Sequence, residues 1–206
     1  MPLTVELDGK QFNLSNECLL ALKNTLDKTQ IKERGFAFCQ NTEVTPGEEV
    51  IGGRNSIKIK NCFKVKDEVI RRRQLIGFYH THPISDSAPS WHDALSIIDR
   101  SVRTGRPDLG CRGGQDGIIR CDTVKEIPNK DAYEQLRRRS SKMVFTDAQD
   151  DPEIWQYFGS PSLLRASDIP GIVQKVREEH FVGVDGRKFI RYFDTINKRR
   201  WTIEVK

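Results

Sequence analysis

Long apolar runs and closely paired cysteines are both missing from this sequence of 206 residues. No stretch approaches the roughly 18 consecutive apolar residues of a membrane-spanning helix, so we expect no membrane anchor. The opening residues lack a basic segment followed by an apolar one, which argues against a signal peptide. The five cysteines contain no C-x-x-C pair. We interpret them as reduced thiols of a cytoplasmic protein, and not as a disulfide framework or a zinc knuckle.

A large excess of one charge is missing as well. The chain has 34 Lys and Arg against 29 Asp and Glu, which gives a formal net charge of +5. Its basic triplets at 71–73, 137–139 and 198–200 are far apart and are not interleaved with regularly spaced aromatic residues. We interpret them mainly as solvated surfaces and expect no nucleic-acid ligand. A patch for an acidic partner such as nucleic acid is the alternative.

Helix and strand patterns alternate over residues 1–127 and predict an α/β fold, a mixed sheet flanked by helices. The first helix is signalled by Ser15 as its cap, with Leu19, Leu22 and Leu26 on one face. A second helix is predicted from about Ser90 to Thr104. The predicted strands cover 35–39, 57–60, 63–66, 75–82, 109–111 and 118–124.

The character of the chain changes after Pro128. Helices are predicted at 131–142 and 168–179, followed by a β-meander with turns at Asp185-Gly186 and Asn197-Lys198. We therefore divide the chain into a core of residues 1–127 and a C-terminal α+β extension of residues 128–206.

Two histidines end the strand predicted at 75–82, and a serine and an aspartate follow at Ser90 and Asp93. Residues two apart on a strand point to the same side, so His80 and His82 present two imidazoles to one point. Asp93, in the first turn of the next helix, can add a carboxylate. Two imidazoles and one carboxylate leave one position of a tetrahedral zinc ion for water, which is the arrangement of catalytic sites. The spacing therefore predicts a Zn²⁺ site.

Hydrolysis at such a site needs two further groups. One is a base that takes a proton from the zinc-bound water, and the other is a donor for the oxyanion. Ser90 is the candidate donor, and Glu33 is the candidate base. The other candidate bases are Glu43, Glu48 and Glu49, which lie in a turn-like stretch.

Ser90 and Asp93 also fit a helix capping box, which needs no catalysis. We expect the two roles not to be easily shared, because a carboxylate bound to zinc is not free to bond the helix entry. His92 should point away from Asp93 and be exposed or lie outside the ligand set. His180 is expected to be structural.

The run from Gly77 to Pro83, followed by Pro89, Ser90 and Asp93, resembles the signature of the JAMM (MPN+) metalloproteases over about residues 1–127. This family includes the deubiquitinating subunit of the proteasome lid and the signalosome deneddylase. The resemblance implies a sandwich fold related to cytidine deaminases, with His80, His82 and Asp93 as zinc ligands and Ser90 supporting the oxyanion. Glu33 matches the family's catalytic glutamate, although the glycine that follows it is one place early.

The same resemblance implies a zinc-dependent isopeptidase. It would hydrolyse the amide between the C-terminus of ubiquitin or a ubiquitin-like modifier and a lysine of its target. The implied partners are modifier conjugates, with a proteasome-like or other complex as a further candidate. Processing of a modifier or sulfur-carrier precursor and a non-catalytic scaffold are the alternatives. Non-haem iron ranks lower because the order of its ligands differs, and the deaminase and HExxH motifs are absent from the sequence.

Overall fold

A computed structural model describes residues 3–29, 31–40, 42–54, 56–60, 62, 74–143, 147–169, 176–182, 188–194 and 199–205. The chain forms two compact units, residues 1–169 and residues 170–206. Both helices and strands are present, and parallel and antiparallel pairs occur in one sheet. The fold is therefore mixed α/β, as the sequence predicts. Among the described residues, no helix has the length and apolar character needed to cross a membrane.

A mixed sheet runs through the first unit. Its described strands pair in the order β1-β2-β4-β3-β6-β7-β8-β9, and β5 pairs with the start of β3. The pairs β2–β4 and β6–β7 are parallel, and the other pairs are antiparallel. The strands are β1 (Leu3–Leu7), β2 (Lys10–Leu14), β3 (Arg34–Gln40), β4 (Val44–Pro46), β5 (Val50–Ile51), β6 (Gln74–Thr81), β7 (Leu109–Gly113), β8 (Ile118–Thr123) and β9 (Ser162–Arg165).

The helices of this unit begin at side chains that cap them. Ser15, Ser90, Asn129 and Asp151 each accept a backbone N–H of the first turn, which satisfies a donor that the helix itself leaves free. The helices are α1 (Asn16–Asp27), α2 (Trp91–Thr104), α3 (Lys130–Arg139) and α4 (Pro152–Trp155), with 3-10 turns at Ser140–Lys142, Ala148–Asp150 and Ala166–Asp168. The predicted helices after Ser15, at 90–104 and at 131–142 are confirmed.

Helices cover both faces of β6. Tyr79 donates its hydroxyl to the carbonyl of Leu22 in α1. On the opposite face, Ile97 of α2 occupies the space that a side chain at Gly110 of β7 would fill. Two apolar clusters follow from this layering. One joins α1 to the sheet, and the other joins α2 to α3 and α4.

Two of the predicted elements differ from the structure. Residues 57–60 form no strand, and the strand predicted at 63–66 lies outside the described residues. The helix predicted at 168–179 is wrong for residues 176–179, since Val176 begins a strand, and its residues 170–175 lie outside the described part of the chain. Its apolar spacing suits a helix, but the β-branched valines also suit a strand, and pairing with the next strand decides between them.

The second unit contains a three-stranded antiparallel meander, which confirms the predicted one. Its strands are β10 (Val176–Val182), β11 (Lys188–Asp194) and β12 (Arg199–Val205), paired in that order. The turns predicted at Asp185-Gly186 and Asn197-Lys198 lie outside the described residues.

The division between the units lies after residue 169 and not at 127/128. Beyond residue 128, β9 adds a strand to the sheet by pairing with β8, and the side chains of α3 and α4 share an apolar cluster with α2. The segment around residue 147 also supports the start of α2. Ala148 donates its N–H to the carbonyl of Pro89. Residues 128–169 therefore belong to the same body as the strands that precede them.

The prediction of reduced cysteines is wrong for four of the five. Disulfides join Cys39 to Cys62 and Cys111 to Cys121, and Cys18 is free and buried. Cys111 and Cys121 face each other on β7 and β8, a proximity that strand pairing creates and sequence spacing does not reveal. Reduced thiols were the support for a cytoplasmic location. The disulfides remove that support, and the location stays a prediction.

We expect a single free thiol in the folded protein. Alkylation of the unfolded, unreduced chain should modify Cys18 alone, and mass spectrometry should count one label before reduction and five after it. Five labels without reduction would contradict both disulfides.

A buried ion cluster ties β7 to β8. Arg112 and Asp122 are each 1% exposed and form an ion pair, and Arg120 donates to the same carboxylate over 3.1 Å. A buried charge that loses its partner is strongly destabilising, because nothing then compensates its lost hydration. This cluster is consequently a sensitive point of the sheet.

The variant Asp122→Ala should lower the free energy of unfolding by about 3–5 kcal/mol, since it leaves Arg112 buried without its carboxylate. Urea unfolding measures the change. Asp150→Ala removes an exposed carboxylate and should alter the value by less than about 0.5 kcal/mol. Equal effects of the two changes would show that burial of the pair is irrelevant.

Candidate metal centre

Three structural elements bring the candidate ligands to one place. His80 lies in β6, His82 directly follows that strand, and Asp93 is the third residue of α2. The first two share a face because side chains alternate along a strand. Asp93 reaches them because α2 begins shortly after β6 and returns over the same face of the sheet.

The three side chains meet at close range. Nε2 of His80 lies 3.1 Å from Nε2 of His82 and 3.1 Å from Oδ1 of Asp93. Nε2 of His82 lies 3.3 Å from Oδ2 of Asp93. The ligand atoms of all three residues fall within 4.8 Å of one another, and the side chains are only 12–16% exposed. The structure therefore brings together the three residues predicted to bind the metal.

A hydrogen bond to the loop after β6 fixes the tautomer of the His82 ring. Its Nδ1 lies 3.0 Å from the carbonyl oxygen of Asp86, so Nδ1 carries the hydrogen and donates it. The neutral ring then points the lone pair of Nε2 at Asp93, whose carboxylate is an acceptor too. Two acceptors facing each other repel unless a proton or a metal cation lies between them.

The separations of these atoms are close to those between neighbouring ligands of a tetrahedral ion. Bonds of about 2.0–2.1 Å in a tetrahedron separate neighbouring ligand atoms by about 3.3 Å. The two imidazole nitrogens lie 3.1 Å apart, and they face different oxygens of Asp93, Oδ1 at 3.1 Å from His80 and Oδ2 at 3.3 Å from His82. Imidazole nitrogens and one carboxylate are a donor set that suits zinc and also other first-row metals.

Charge attraction dominates the acid–base properties of the pair formed by His82 and Asp93. Burial alone raises the pKa of Asp93, but the charges and hydrogen bonds of His80 and His82 hold it well below its usual value. Burial lowers the pKa of His82, and the hydrogen bond and charge of Asp93 and the carbonyl of Asp86 outweigh that and raise it. Asp93 is thus held in its charged form, whereas a proton on Nε2 of His82 has to leave before that nitrogen can bind a metal.

Ser90 caps α2 while Asp93 faces the histidines, so the capping box and the approach of Asp93 to both histidines occur together in this fold. The Ser90 hydroxyl accepts the Asp93 N–H, and the Ser90 N–H donates to Asp93 Oδ2 over 2.9 Å. The hydroxyl also lies 2.8 Å from Oδ2, to which it donates. A carboxylate offers about four lone pairs, and Oδ1 remains directed at His80. The capping box thereby orients Asp93 for the cluster.

Glu33 lies beside the cluster, immediately before β3. It is 8% exposed, and its backbone is fixed on both sides. Its N–H donates to the carbonyl of Gly53, and its carbonyl accepts from Gly52, each over 2.8 Å. Burial is the main influence on its pKa and raises it. The charges of His80 and His82 lower the pKa, and Asp93 raises it further. A buried acid with a raised pKa next to a metal site has the properties of a general base.

The other candidate bases lie in different surroundings. Glu49 pairs with Arg34 over 2.9 Å, Glu48 pairs with Lys60 over 2.8 Å, and Glu43 is exposed. Among these candidate bases, Glu33 is therefore the one that the fold places at the cluster. His92 is exposed, as predicted. His180 lies in β10 of the second unit.

Gly35 is what allows β3 to run so close to the histidines. It pairs with His80 across the strands, and a side chain there would collide with the carbonyl oxygen of Tyr79 and lie 3.0 Å from Cβ of His80. Glu33, two residues earlier, shares the face of Gly35. The close approach therefore brings the glutamate and the histidines together.

Two contributors were missed by the sequence reasoning. The carbonyl of Asp86 fixes the His82 ring, but a backbone atom leaves no mark on a motif. Arg112 pairs with His80 in the strand register, is buried, and lowers the pKa of His82 through its charge. An arginine in an otherwise apolar strand pattern is the signal that points to it, since arginine is rarely buried without a specific partner.

No protein-family model and no curated protein matches the chain. The chemistry of this cluster is consequently inferred from its own geometry: two imidazoles and a carboxylate suited to a metal cation, a buried glutamate next to them, and a serine hydroxyl at the helix entry.

Gly35→Ala should disturb this site, because the added methyl group meets backbone atoms that cannot move aside easily. We expect the free energy of unfolding to fall by about 1–3 kcal/mol and metal affinity to fall with it, measured by urea unfolding and by zinc titration. Gly53→Ala is the matched control near Glu33, since its methyl group would lie 3.4 Å from the Ser56 hydroxyl. If Gly35→Ala behaves like the control, close strand contact is not what positions His80.

Proposed function

We propose that the chain is a zinc-dependent isopeptidase of the JAMM (MPN+) type, with an MPN core. In this proposal it cleaves the amide between the C-terminus of a ubiquitin-like modifier and a lysine side chain of the target. The observation that carries the proposal is the meeting of His80, His82 and Asp93 within 4.8 Å next to the buried Glu33.

His80, His82 and Asp93 would hold the metal. Zinc bound there supplies a Lewis acid and lowers the pKa of a water molecule towards 7. The donor set supports this assignment because Nε2 of His82 and the carboxylate of Asp93 face each other over 3.3 Å, an arrangement that a bound cation would stabilise.

Glu33 would carry the proton. In amide hydrolysis, the water oxygen bonds to the carbonyl carbon, the C–N bond breaks, and the departing lysine amine gains a proton. Glu33 accepts the proton of the water and delivers it to that nitrogen. The pKa of Glu33 is raised by burial, which brings it closer to the pH at which both transfers occur and so suits both steps.

Ser90 would support the oxyanion through its hydroxyl. Here that hydroxyl donates to Asp93 Oδ2, so the role requires it to turn towards the substrate. The N–H of Ser90 still donates to the same oxygen. Asp93 therefore keeps a hydrogen bond from the helix cap when the hydroxyl leaves it.

Metal content tests the first half of the proposal. Purified wild-type protein should contain zinc in stoichiometric amounts by inductively coupled plasma mass spectrometry, and His82→Ala should contain little, because one of three ligands is gone. His92→Ala is the matched control, since it removes an exposed neighbouring histidine and should retain the metal. A wild-type chain that contains no zinc and takes none up would defeat the proposal.

Turnover tests the second half. A panel of modifier fusions and isopeptide-linked conjugates is incubated with the zinc-loaded protein. Glu33→Gln should keep its zinc and lose activity by about 100-fold or more, while Glu48→Gln should match wild type. If the zinc-loaded chain cleaves nothing in the panel, the alternative of a non-catalytic scaffold protein is favoured. Full activity of Glu33→Gln would assign the base to another residue.

A further inference from the structure

A groove of about 370 Å³ runs between α2 and α3 and reaches Phe78 of β6. It begins next to the candidate metal centre, since His92, which lines it, directly precedes Asp93, and Phe78 lies two residues before His80. None of its lining residues belongs to the ligand set or is Glu33. It is a second concave surface beside the site, and it has no role in the proposed hydrolysis.

Arginines determine the chemistry of this groove. Arg100 and Arg103 come from α2, one turn apart, and Arg137 comes from α3. The guanidinium of Arg100 lies 4.5 Å from the centre of the Phe78 ring, and that of Arg137 lies 5.8 Å from the centre of the Tyr133 ring. Stacking of this kind holds the guanidinium groups in place.

The carboxylates around the groove leave much of the arginines' bonding capacity unused. Asp108 binds Nε of Arg100, Asp99 binds Nη2 of Arg103, and Glu134 lies 3.6 Å from Nη1 of Arg137. Each guanidinium has five N–H donors. Among the described residues, Asp108 accepts one hydrogen bond from Arg100, Asp99 accepts one from Arg103, and Glu134 lies beyond hydrogen-bond distance of Arg137. Asp99, the acidic residue of the lining, also accepts the Tyr133 hydroxyl. Its two oxygens are thus both engaged, and the N–H donors of Arg103 and Arg137 that these carboxylates leave unbonded are the ones open to an incoming anion.

The rings argue against a nucleic acid as that anion. Single-stranded nucleic acids bind by stacking their bases on aromatic faces. In this groove arginines already stack on Phe78 and Tyr133. The groove is lined by guanidinium groups and by the aliphatic side chain of Leu95. The guanidinium groups suit the carboxylates of an acidic peptide, and Leu95 suits its aliphatic side chains.

We propose that the α2–α3 groove is a docking site for an acidic peptide segment that contains aliphatic residues. Its carboxylates bind the guanidinium groups of Arg103 and Arg137, while Arg100, 15% exposed and fixed by Asp108 over 2.5 Å, forms the inner wall. The proposal gives a role to the first arginine of the basic triplet 137–139. It does not depend on the proposed hydrolysis, because binding in the groove requires neither the metal nor Glu33.

Fluorescence anisotropy with a short fluorescein-labelled peptide of alternating glutamate and leucine tests this docking. The wild-type chain should bind the peptide, and the affinity should decrease as salt rises. Arg137→Glu should weaken binding at least tenfold, as expected for the loss of a charge-assisted hydrogen bond. Arg138→Glu makes the same charge change one residue away, on an exposed position outside the lining, and should stay within about twofold of wild type.

Ser96→Glu provides a second test from the other wall, because Ser96 is an exposed lining residue of α2. Its new carboxylate should repel the peptide and also weaken binding at least tenfold. A peptide with glutamine in place of glutamate should not bind. The proposal is overturned if the wild type does not bind the acidic peptide, or if Arg138→Glu weakens binding as much as Arg137→Glu. Tighter binding of a single-stranded oligothymidylate that displaces the peptide would also overturn it.

Discussion

The antiparallel pairing of β3 with β6 is the constraint on which the candidate site depends. Gly35 opposite His80 lets the strands approach, and Thr81 accepts the N–H of Arg34 over 3.0 Å. This contact brings Glu33 to the end of the strand that carries the histidines. Without it, the acid and the ligands would belong to separate parts of the sheet. Glu33 and the candidate ligands would then not form one site.

The second constraint is the entry of α2, which supplies the carboxylate. Ser90 and Asp93 cap each other's backbone, and the indole of Trp91 donates to Asp151 over 3.0 Å. That link draws residues well beyond position 128 into the support of the site. The helix therefore does two things at once: it presents Asp93 to the histidines at its first turn and forms one wall of the arginine-lined groove further along.

A buried ion pair and a disulfide stabilise the sheet beside the candidate site. The ion pair of Arg112 and Asp122 and the disulfide of Cys111 and Cys121 both join β7 to β8. Arg112 is also paired with His80 in the strand register. The strands behind the candidate site are therefore cross-linked where His80 and His82 must keep their positions.

The sequence by itself determined the local arrangements: His80 and His82 on one side of a strand, Asp93 in the first helical turn, and Ser90 as a cap. Each depends on strand or helix periodicity, which a short stretch of sequence already contains. Only the tertiary structure decided which glutamate joins them and that one carboxylate can serve both cap and cluster. It also decided that four cysteines pair and that Val176 begins a strand. These outcomes depend on which strands become neighbours, and that contact between distant residues is not encoded in any local pattern.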